Sequence, residues 1–195
     1  MKKSVVYWSP CLDKVGTVKS TLNSAISLAK YSKDYDVTII NVFGEWSSYY
    51  KYLVQNNVKL QNLTFDYYNL LPKKGFLKSR LSYIIIFLIS FIPLLLLIKK
   101  IKPDYLIIHL ITSLPLFLLN FFKLKTQVIL RISGFPKMNL LRKKLWIKSQ
   151  NKIFKITCPT EQLKNDLITK NIFKDEKMET LFDAIINIKD LIQKK

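Results

Sequence analysis

Cysteine, histidine and glycine are scarce in this 195-residue chain, which has two cysteines, one histidine and four glycines. Cys11 and Cys158 lie far apart and form no CxxC pair, so neither a disulfide framework nor a zinc cage is indicated. The chain also lacks GxGxxG and HExxH motifs, and its residues indicate no Ser-His-Asp triad and no pair of catalytic carboxylates. These absences argue against a dinucleotide-binding dehydrogenase, a zinc protease and a serine hydrolase.

Acidic residues and arginines are few as well. The chain has 32 basic and 13 acidic side chains and a net charge of +19, and 29 of the 32 basic residues are lysines. Lysine is a point charge, whereas the planar fork of arginine is the usual tool for reading bases and phosphates. With only Arg80, Arg131 and Arg142 available, we do not expect a nucleic-acid partner.

The positive charge is concentrated in the middle of the chain. Residues 46–160 contain nineteen basic groups, against only Asp66 and Asp104. The longest apolar runs lie in the same stretch, and lysines that border apolar surface are what attraction to an anionic membrane surface requires. The alternative is a basic face that is simply solvated.

Apolar runs of strand length alternate with longer segments of helical period. The predicted strands include "SVVYW" (4–8), "DVTIINVF" (36–43), "PDYLIIHL" (103–110), "KTQVILRIS" (125–133) and "KIFKITCPT" (152–160), and Thr17, Thr112 and Thr160 are candidate helix caps. This pattern predicts an α/β, Rossmann-like three-layer domain with a mainly parallel sheet. We expect one domain over residues 1–186, with 187–195 beginning an interdomain linker or a C-terminal helix.

Two uncharged runs need a separate explanation. Leu81 to Ile98 has 18 uncharged residues, the lower limit for crossing a bilayer, and Tyr105 to Phe122 is equally long if the histidine is neutral. A helical hairpin over 81–122, in a small integral membrane protein without catalytic activity, is the alternative to a soluble sheet. We favour the sheet because Pro103-Asp104 followed by "YLIIHL" is typical of a buried parallel strand.

Three segments are candidate sites. His109 falls at the carboxyl end of a predicted parallel strand, where α/β proteins bind ligands, although a satisfied core histidine is the alternative. The loop "SPCLDKVGT" (9–17) precedes a helix whose amino end can face an anion. The stretch "LRISGFPK" (130–137) gathers side chains and backbone that could hold phosphate or acidic sugar groups, or could form a plain turn: Arg131, Ser133, Gly134 and Lys137.

Taken in order, these segments resemble the N-terminal half of family 4 glycosyltransferases of the GT-B fold. The segments that carry the resemblance are "KPDYLIIHL", "VILRISG", "ITCPTEQLKNDL" and "KMETLFDAI". The resemblance implies a retaining transferase that uses a nucleotide-sugar donor and needs no metal or other cofactor. The bacterial enzymes that build lipopolysaccharide, O-antigen or capsule are the most similar, which implies a lipid-linked or cell-surface glycan acceptor.

The resemblance also assigns roles to residues. It makes His109 the catalytic residue facing the acceptor or the transferred sugar, places Gly16 and Thr17 near the donor diphosphate, and puts Ser133 and Gly134 in the turn that lines the cleft. The first loop lacks the usual Gly-Gly pair, and Asp183 stands where asparagine is common. Because no two glutamates are separated by seven residues, we expect the acceptor-binding half of an enzyme, truncated or completed by a separate chain, and inactive alone.

A lipid-linked acceptor would explain the basic, apolar middle of the chain. An apolar helix at the bilayer surface, rimmed by cationic side chains, combines insertion with attraction to headgroups. We therefore expect a cytoplasmic protein that is peripheral on the inner face of the cell membrane. The expected membrane contacts are Lys73, Lys74, Lys78, Arg80, Lys99, Lys100 and Lys102.

Overall fold

A seven-stranded, fully parallel sheet forms the centre of the molecule. The computed structural model describes residues 2–13, 16–72 and 75–184, and the expected linker at 187–195 lies outside them. The strands are ordered β3-β2-β1-β4-β5-β6-β7 across the sheet. Their bounds are β1 Lys3–Trp8, β2 Tyr35–Asn41, β3 Lys59–Asn62, β4 Tyr105–Ile108, β5 Gln127–Arg131, β6 Lys155–Cys158 and β7 Met178–Thr180. This arrangement confirms the predicted α/β, Rossmann-like class.

Helices connect successive strands. Their bounds are α1 Gly16–Tyr31, α2 Tyr50–Gln55, α3 Phe76–Ile101, α4 Ser113–Phe121, α5 Leu140–Ser149 and α6 Glu161–Thr169, with short 3-10 turns at Ser47–Tyr49, Tyr68–Leu70 and Asp175–Lys177. Thr160 caps α6 as predicted, because its hydroxyl accepts the N–H of Leu163. Thr17 lies inside the first turn of α1, so this predicted cap is wrong. Thr112 is the N-cap residue of α4, as predicted, but its side chain makes no capping bond.

Both faces of the sheet are covered, which explains the near-continuous apolar strands. In β1, Val5 and Tyr7 pack into one cluster with residues of α1 and α2. Val6 and Trp8 pack into a second cluster with residues of α3 and α4. Successive side chains of a strand point to opposite faces, so β1 contributes to both layers of the core.

Strand β4 distinguishes the predicted sheet from the alternative of a membrane hairpin over residues 81–122. Residues of β4 pair in parallel with β1 on one side and with β5 on the other. The uncharged run from Tyr105 to Phe122 is therefore divided between a strand and the separate helix α4. A transmembrane hairpin over 81–122 is contradicted, because its second half contains the central strand of a sheet.

Helix α3 has two different apolar faces. Ile86, Leu94 and Ile98 are fully or almost fully buried in the core. Opposite them runs an exposed stripe of α3, which we define as Leu77, Leu81, Ile84, Leu88, Ile92 and Leu96. Among the described residues one helix, Leu77–Ile101, is long and apolar enough to cross a membrane, and 28% of its most apolar window is buried. The helix thus packs on the sheet along one side and presents hydrocarbon on the other.

The end of α3 is set by its backbone. Lys102 adopts a left-handed conformation with φ 44°, and its N–H donates to the carbonyl of Ile98 at 2.9 Å. Pro103 follows and cannot continue the helix. This stop leads the chain directly into β4 and so fixes where the strand begins.

Candidate functional site

The site lies where the sheet order changes direction. From β1 the chain continues to β2 on one side, whereas β4 lies against β1 on the other side. Ligands of open α/β sheets bind at such a switch point, outside the carboxyl ends of the strands. His109 directly follows β4 there, and its backbone N–H donates to the carbonyl of Trp8, the last residue of β1, at 2.9 Å. The predicted position of His109 at a strand end is confirmed.

A chain of hydrogen bonds fixes the tautomer of His109. The Thr21 hydroxyl donates to the carbonyl of Thr17 at 2.9 Å and lies 2.8 Å from Nδ1 of His109. A hydroxyl has one hydrogen, so when Thr21 donates it to the Thr17 carbonyl, the Thr21 oxygen accepts the second bond and the imidazole proton is on Nδ1. Ser9 then donates to Thr21 as well, over 3.1 Å.

The other ring nitrogen faces Ser133. Nε2 of His109 is hydrogen-bonded to the Ser133 hydroxyl. Because the proton sits on Nδ1, Nε2 is the acceptor in this bond and the hydroxyl is the donor. The site therefore presents a fixed nitrogen lone pair toward the turn that follows β5.

Burial keeps the imidazole neutral. The pKa of His109 falls to about 4, mainly because the ring is buried and also because Arg131 is positively charged, while Asp183 opposes this change. At pH 7 the ring is therefore uncharged. A neutral imidazole can accept a hydrogen bond from a substrate hydroxyl but holds a proton weakly.

Arg131 is held by the chain's own C-terminal segment. One guanidinium nitrogen donates to the Leu181 carbonyl at 2.5 Å, and the other donates to a carboxylate oxygen of Asp183 at 2.6 Å. Ser20 of α1 donates to the same oxygen at 2.7 Å. Burial disfavours the charged carboxylate, but the bonds from Ser20 and Arg131 outweigh it and hold the pKa of Asp183 below 3.8. The predicted phosphate ligand Arg131 therefore fastens residues 181–184 to the core.

These residues surround a cavity of about 820 Å³. Five of the predicted substrate-binding or catalytic residues line it together: Thr17, His109, Arg131, Ser133 and Gly134. Gly16 and Lys137 are not among the described residues that line it. Its volume is in the range of pockets that enclose small ligands.

Arg80, one of the predicted membrane contacts, is exposed and also lines the cavity together with Tyr83 and Ile84 of α3. Of the other predicted membrane contacts, Lys78, Lys99, Lys100 and Lys102 are exposed, while Lys73 and Lys74 lie outside the described residues. The amino-terminal half of α3 is thus part of the site and not only of the surface.

Sequence reasoning missed Thr21, Arg142 and Trp146, which line the cavity or bond its histidine. The helical spacing of Thr21, four residues after Thr17, could have indicated that it lies at the site, and the residue is buried in the structure. Arg142 and Trp146 share the same spacing in α5, which points both toward one side of that helix. Among the residues that the structure describes, no group of three or more metal-ligating side chains occurs.

Comparison with known proteins identifies the fold. The chain matches a UDP-GlcNAc 2-epimerase from Neisseria meningitidis solved with UDP-GlcNAc, at a TM-score of 0.59 and 14% identity over 100% of this chain and 50% of the epimerase. It also matches UGT73P12 of Glycyrrhiza uralensis, solved with glycyrrhetinic acid 3-O-monoglucuronide, at a TM-score of 0.64 and 10% identity over 93% and 48% of the two chains. A third match is CalG4, the calicheamicin glycosyltransferase, at a TM-score of 0.50 and 12% identity over 90% and 44%.

These matches establish a fold and not a family. No protein-family model and no curated protein matches the sequence. The chain spans about half the length of the solved structures it matches, so its fold is that of one domain of a GT-B-type protein. Because epimerases and glycosyltransferases share this fold, membership of glycosyltransferase family 4 stays a prediction.

Proposed function

We propose that this chain is the acceptor-binding half of a glycosyltransferase that moves a sugar from a nucleotide-sugar donor to a glycan acceptor. The observation that carries the proposal is the neutral His109 at the switch point of a GT-B-type half, with Nε2 bonded to Ser133 at the edge of a cavity large enough for a sugar. The solved proteins of the same fold include one bound to UDP-GlcNAc and a glycosyltransferase, which supports a nucleotide-sugar donor.

The chemistry follows from the low pKa of His109. In the transfer, an acceptor oxygen bonds to the anomeric carbon while the bond from that carbon to the diphosphate breaks, and the nucleoside diphosphate leaves with the electron pair. The acceptor hydroxyl takes the place of the Ser133 hydroxyl at Nε2 of His109, which accepts its hydrogen bond and orients its oxygen. The hydroxyl proton ends on the departing diphosphate, because a terminal phosphate, with a pKa of about 6, is the stronger base.

That proton path supports a retaining reaction. The oxygen that takes the proton must be close to the attacking hydroxyl, so attack and departure occur on the same face of the sugar. Retention of the anomeric configuration is therefore part of the proposal, as is membership of family 4. Stabilisation of the departing charge falls to the second domain and to the amino end of α1, near Thr17.

The membrane surface is the proposed location of the acceptor. The exposed stripe of α3 offers a continuous apolar edge, with Lys78 near its start and Lys99 and Lys100 in the last turn of the helix. A helix of 26 residues is about 39 Å long, so lysines at both ends can reach headgroups when the helix lies in the plane of the bilayer. This supports a lipid-linked acceptor and a peripheral position on the cytoplasmic leaflet.

Transfer assays test the proposal. The purified chain is incubated with radiolabelled nucleotide sugars and a membrane lipid extract, with and without a co-expressed chain that supplies a second Rossmann-like domain. We expect label in the lipid fraction only when both chains are present. His109→Ala should lower that transfer about a hundredfold, because the acceptor hydroxyl loses its orienting partner.

The control is Tyr31→Ala, an exposed residue at the other end of α1, which should leave transfer unchanged. Nuclear magnetic resonance of the product gives the configuration of the new linkage, which should equal that of the donor. Transfer by the single chain, undiminished transfer by His109→Ala, or an inverted linkage would each contradict a stated part of the proposal.

A further inference from the structure

The turn between β4 and α4 contains a residue in a strained conformation. Ile111 has a φ of 46°, in the left-handed region that β-branched residues strongly disfavour. Three other non-glycine residues in the described part of the chain have a positive φ: Asn57, Lys102 and Asn171. Those three follow the ends of α2, α3 and α6, where a left-handed residue commonly ends a helix. Ile111 instead lies between a strand and a helix, two residues after His109, so helix termination does not explain its conformation.

Trp8 holds this turn at both ends. Its backbone carbonyl accepts the N–H of His109 at 2.9 Å, and its indole N–H donates to the carbonyl of Ile111 at 3.2 Å. Trp8 is the last residue of β1, pairs with Ile108 of β4 and is completely buried. One residue of the neighbouring strand therefore fixes both the histidine that follows β4 and the strained residue two positions later.

The turn is also packed on both sides of the sheet. Leu110 packs against the cluster that includes residues of α1 and α2, and Ile111 packs against the cluster that includes residues of α3 and α4. The ring of His109 is bonded to Thr21 of α1 and to Ser133 after β5. A change of φ at Ile111 would alter the path of the backbone from His109 to α4. Because both side chains of the turn are packed, we expect the ring to be displaced with it.

Ordinary packing does not account for the contact between Trp8 and Ile111. A buried indole usually has a hydrogen-bond partner, but the partner need not adopt a disfavoured conformation. Trp46 is as completely buried as Trp8, and its indole nitrogen has no hydrogen-bond partner among the described residues. Strained backbone persists where the surroundings over-determine it, and it is concentrated at sites that need a fixed geometry.

We propose that Trp8 is a positioning residue, which holds the His109 imidazole in its site by locking the left-handed turn at Ile111. The inference rests on the proposed function, because the held ring is the one that orients the acceptor hydroxyl. Ile111 lines the cavity, whereas Trp8 is not among the described residues that line it. Trp8 therefore acts through the turn and not by contact with a substrate.

Nitrogen-15 nuclear magnetic resonance of the single histidine tests this inference on the intact chain, without a substrate or a second domain. Trp8→Phe removes the N–H donor and keeps an aromatic ring. We expect the titration midpoint of His109 to rise from near pH 4 toward its ordinary value, by about one pH unit or more, because a displaced ring is better hydrated. Arg131 and Asp183, the charged groups that act on the ring, are unchanged in this variant.

Trp46→Phe is the matched control. It makes the same change at an equally buried tryptophan and removes no hydrogen bond within the described structure, so the midpoint of His109 should stay where it is in the wild type. Equal shifts of the midpoint in Trp8→Phe and Trp46→Phe would show a general loosening of the core and would overturn the proposal.

Substitution of Ile111 tests the turn itself. Glycine adopts a positive φ without strain, so adding Ile111→Gly to Trp8→Phe should return the midpoint to near that of the wild type. Adding Ile111→Ala instead also truncates the side chain but keeps Cβ, and it should not restore the midpoint. Restoration by alanine as complete as that by glycine would exclude the strained turn as the cause.

Ile111→Pro provides a second route that leaves Trp8 in place. Proline fixes φ at about −65°, so this variant cannot form the left-handed turn and should raise the midpoint as Trp8→Phe does. The inference is therefore tested even if thermal unfolding shows that Trp8→Phe is not folded. A folded Trp8→Phe or Ile111→Pro protein with an unshifted midpoint would overturn it.

These measurements do not depend on the transfer assay. A midpoint that shifts in Trp8→Phe and is restored by Ile111→Gly, in a protein without transfer, would preserve this role of Trp8 and refute the proposed function. Transfer by the wild type together with an unshifted midpoint in Trp8→Phe would preserve the function and refute the role of Trp8.

Discussion

Thr21 holds Nδ1 of His109 at 2.8 Å through a hydroxyl that already donates to the Thr17 carbonyl. The two residues come from α1 and from the end of β4, so the contact joins the first helix to the middle of the sheet. It leaves the imidazole one orientation and one tautomer, which is what a group that orients a substrate needs.

Replacing Thr21 should therefore lower the stability of the protein and change the tautomer of the His109 ring. Thr21→Val keeps the shape but leaves the Nδ1 proton of His109 and the Ser9 hydroxyl without their acceptor in the core, at a cost of about 1–3 kcal/mol in unfolding free energy. Urea denaturation measures the loss. Thr21→Ser, which keeps the hydroxyl, is the control and should retain the Nδ1 tautomer. A Thr21→Val protein as stable as the wild type, with the same tautomer, would show that the contact is not needed.

The pair of Arg131 and Asp183 should contribute to stability at neutral pH. Asp183→Ala removes the carboxylate that two donors share, and we expect a loss of roughly 1–3 kcal/mol, discounted because the pair is partly exposed. Asp183→Asn keeps one oxygen acceptor and should lose less. The difference is measured by urea unfolding at pH 7.

The pH dependence of the stability contributed by the Arg131–Asp183 pair follows from the lowered pKa of Asp183. The contribution is fully present above the unfolded-state value of 3.8 and is lost as the pH falls through the folded-state value. The wild type and Asp183→Asn should therefore converge in stability as the pH is lowered below 3.8. A gap that stays constant down to pH 2 would contradict the assigned ion pair.

Substitutions in helix α3 should lower the stability of the protein only when they fall on its buried face. Leu94→Ala opens a cavity in the core and should cost about 2–5 kcal/mol, because the side chain is completely buried. Leu96→Ala removes the same atoms from a side chain that is 60% exposed and should change stability by no more than about 0.5 kcal/mol. Equal effects of the two substitutions would mean that α3 does not pack on the sheet as described.

The exposed stripe of α3 should bind anionic vesicles. The wild type should float with phosphatidylglycerol vesicles, and the double variant Leu88→Asp, Ile92→Asp should lose about tenfold or more in partitioning, because each leucine or isoleucine loses its apolar insertion. Val54→Asp, at an exposed apolar position of α2, is the control and should float like the wild type. Flotation that is unchanged in the stripe variant would contradict the membrane orientation.

The fold could be predicted from the sequence because local residues mark where its strands and helices begin and end. Pro103 and Asp104 before "YLIIHL", and the capping Thr160 before "EQLKNDL", mark element boundaries through backbone chemistry that operates locally. The position of His109 followed directly from the first of these. The cap at Thr17 was less predictable, because helix ends shift by one or two residues with tertiary packing.

The composition of the site was harder to foresee. Arg80 and Arg142 are 62 residues apart, and only tertiary packing brings both to the lining of one cavity. Arg131 lies at the cavity, but its engagement by Asp183 depends on where residues 181–184 return to α1. Such contacts arise from tertiary packing, and no local spacing encodes them.

A neutral His109 with an unprotonated Nε2 underlies the proposed transfer, and nitrogen-15 nuclear magnetic resonance tests it most directly. The chain has a single histidine, so its two ring nitrogens can be observed without assignment of others. At pH 6 we expect a protonated Nδ1, an unprotonated Nε2 and a titration midpoint near pH 4. A ring that is doubly protonated at pH 6, or one that carries its proton on Nε2, would contradict the role given to His109.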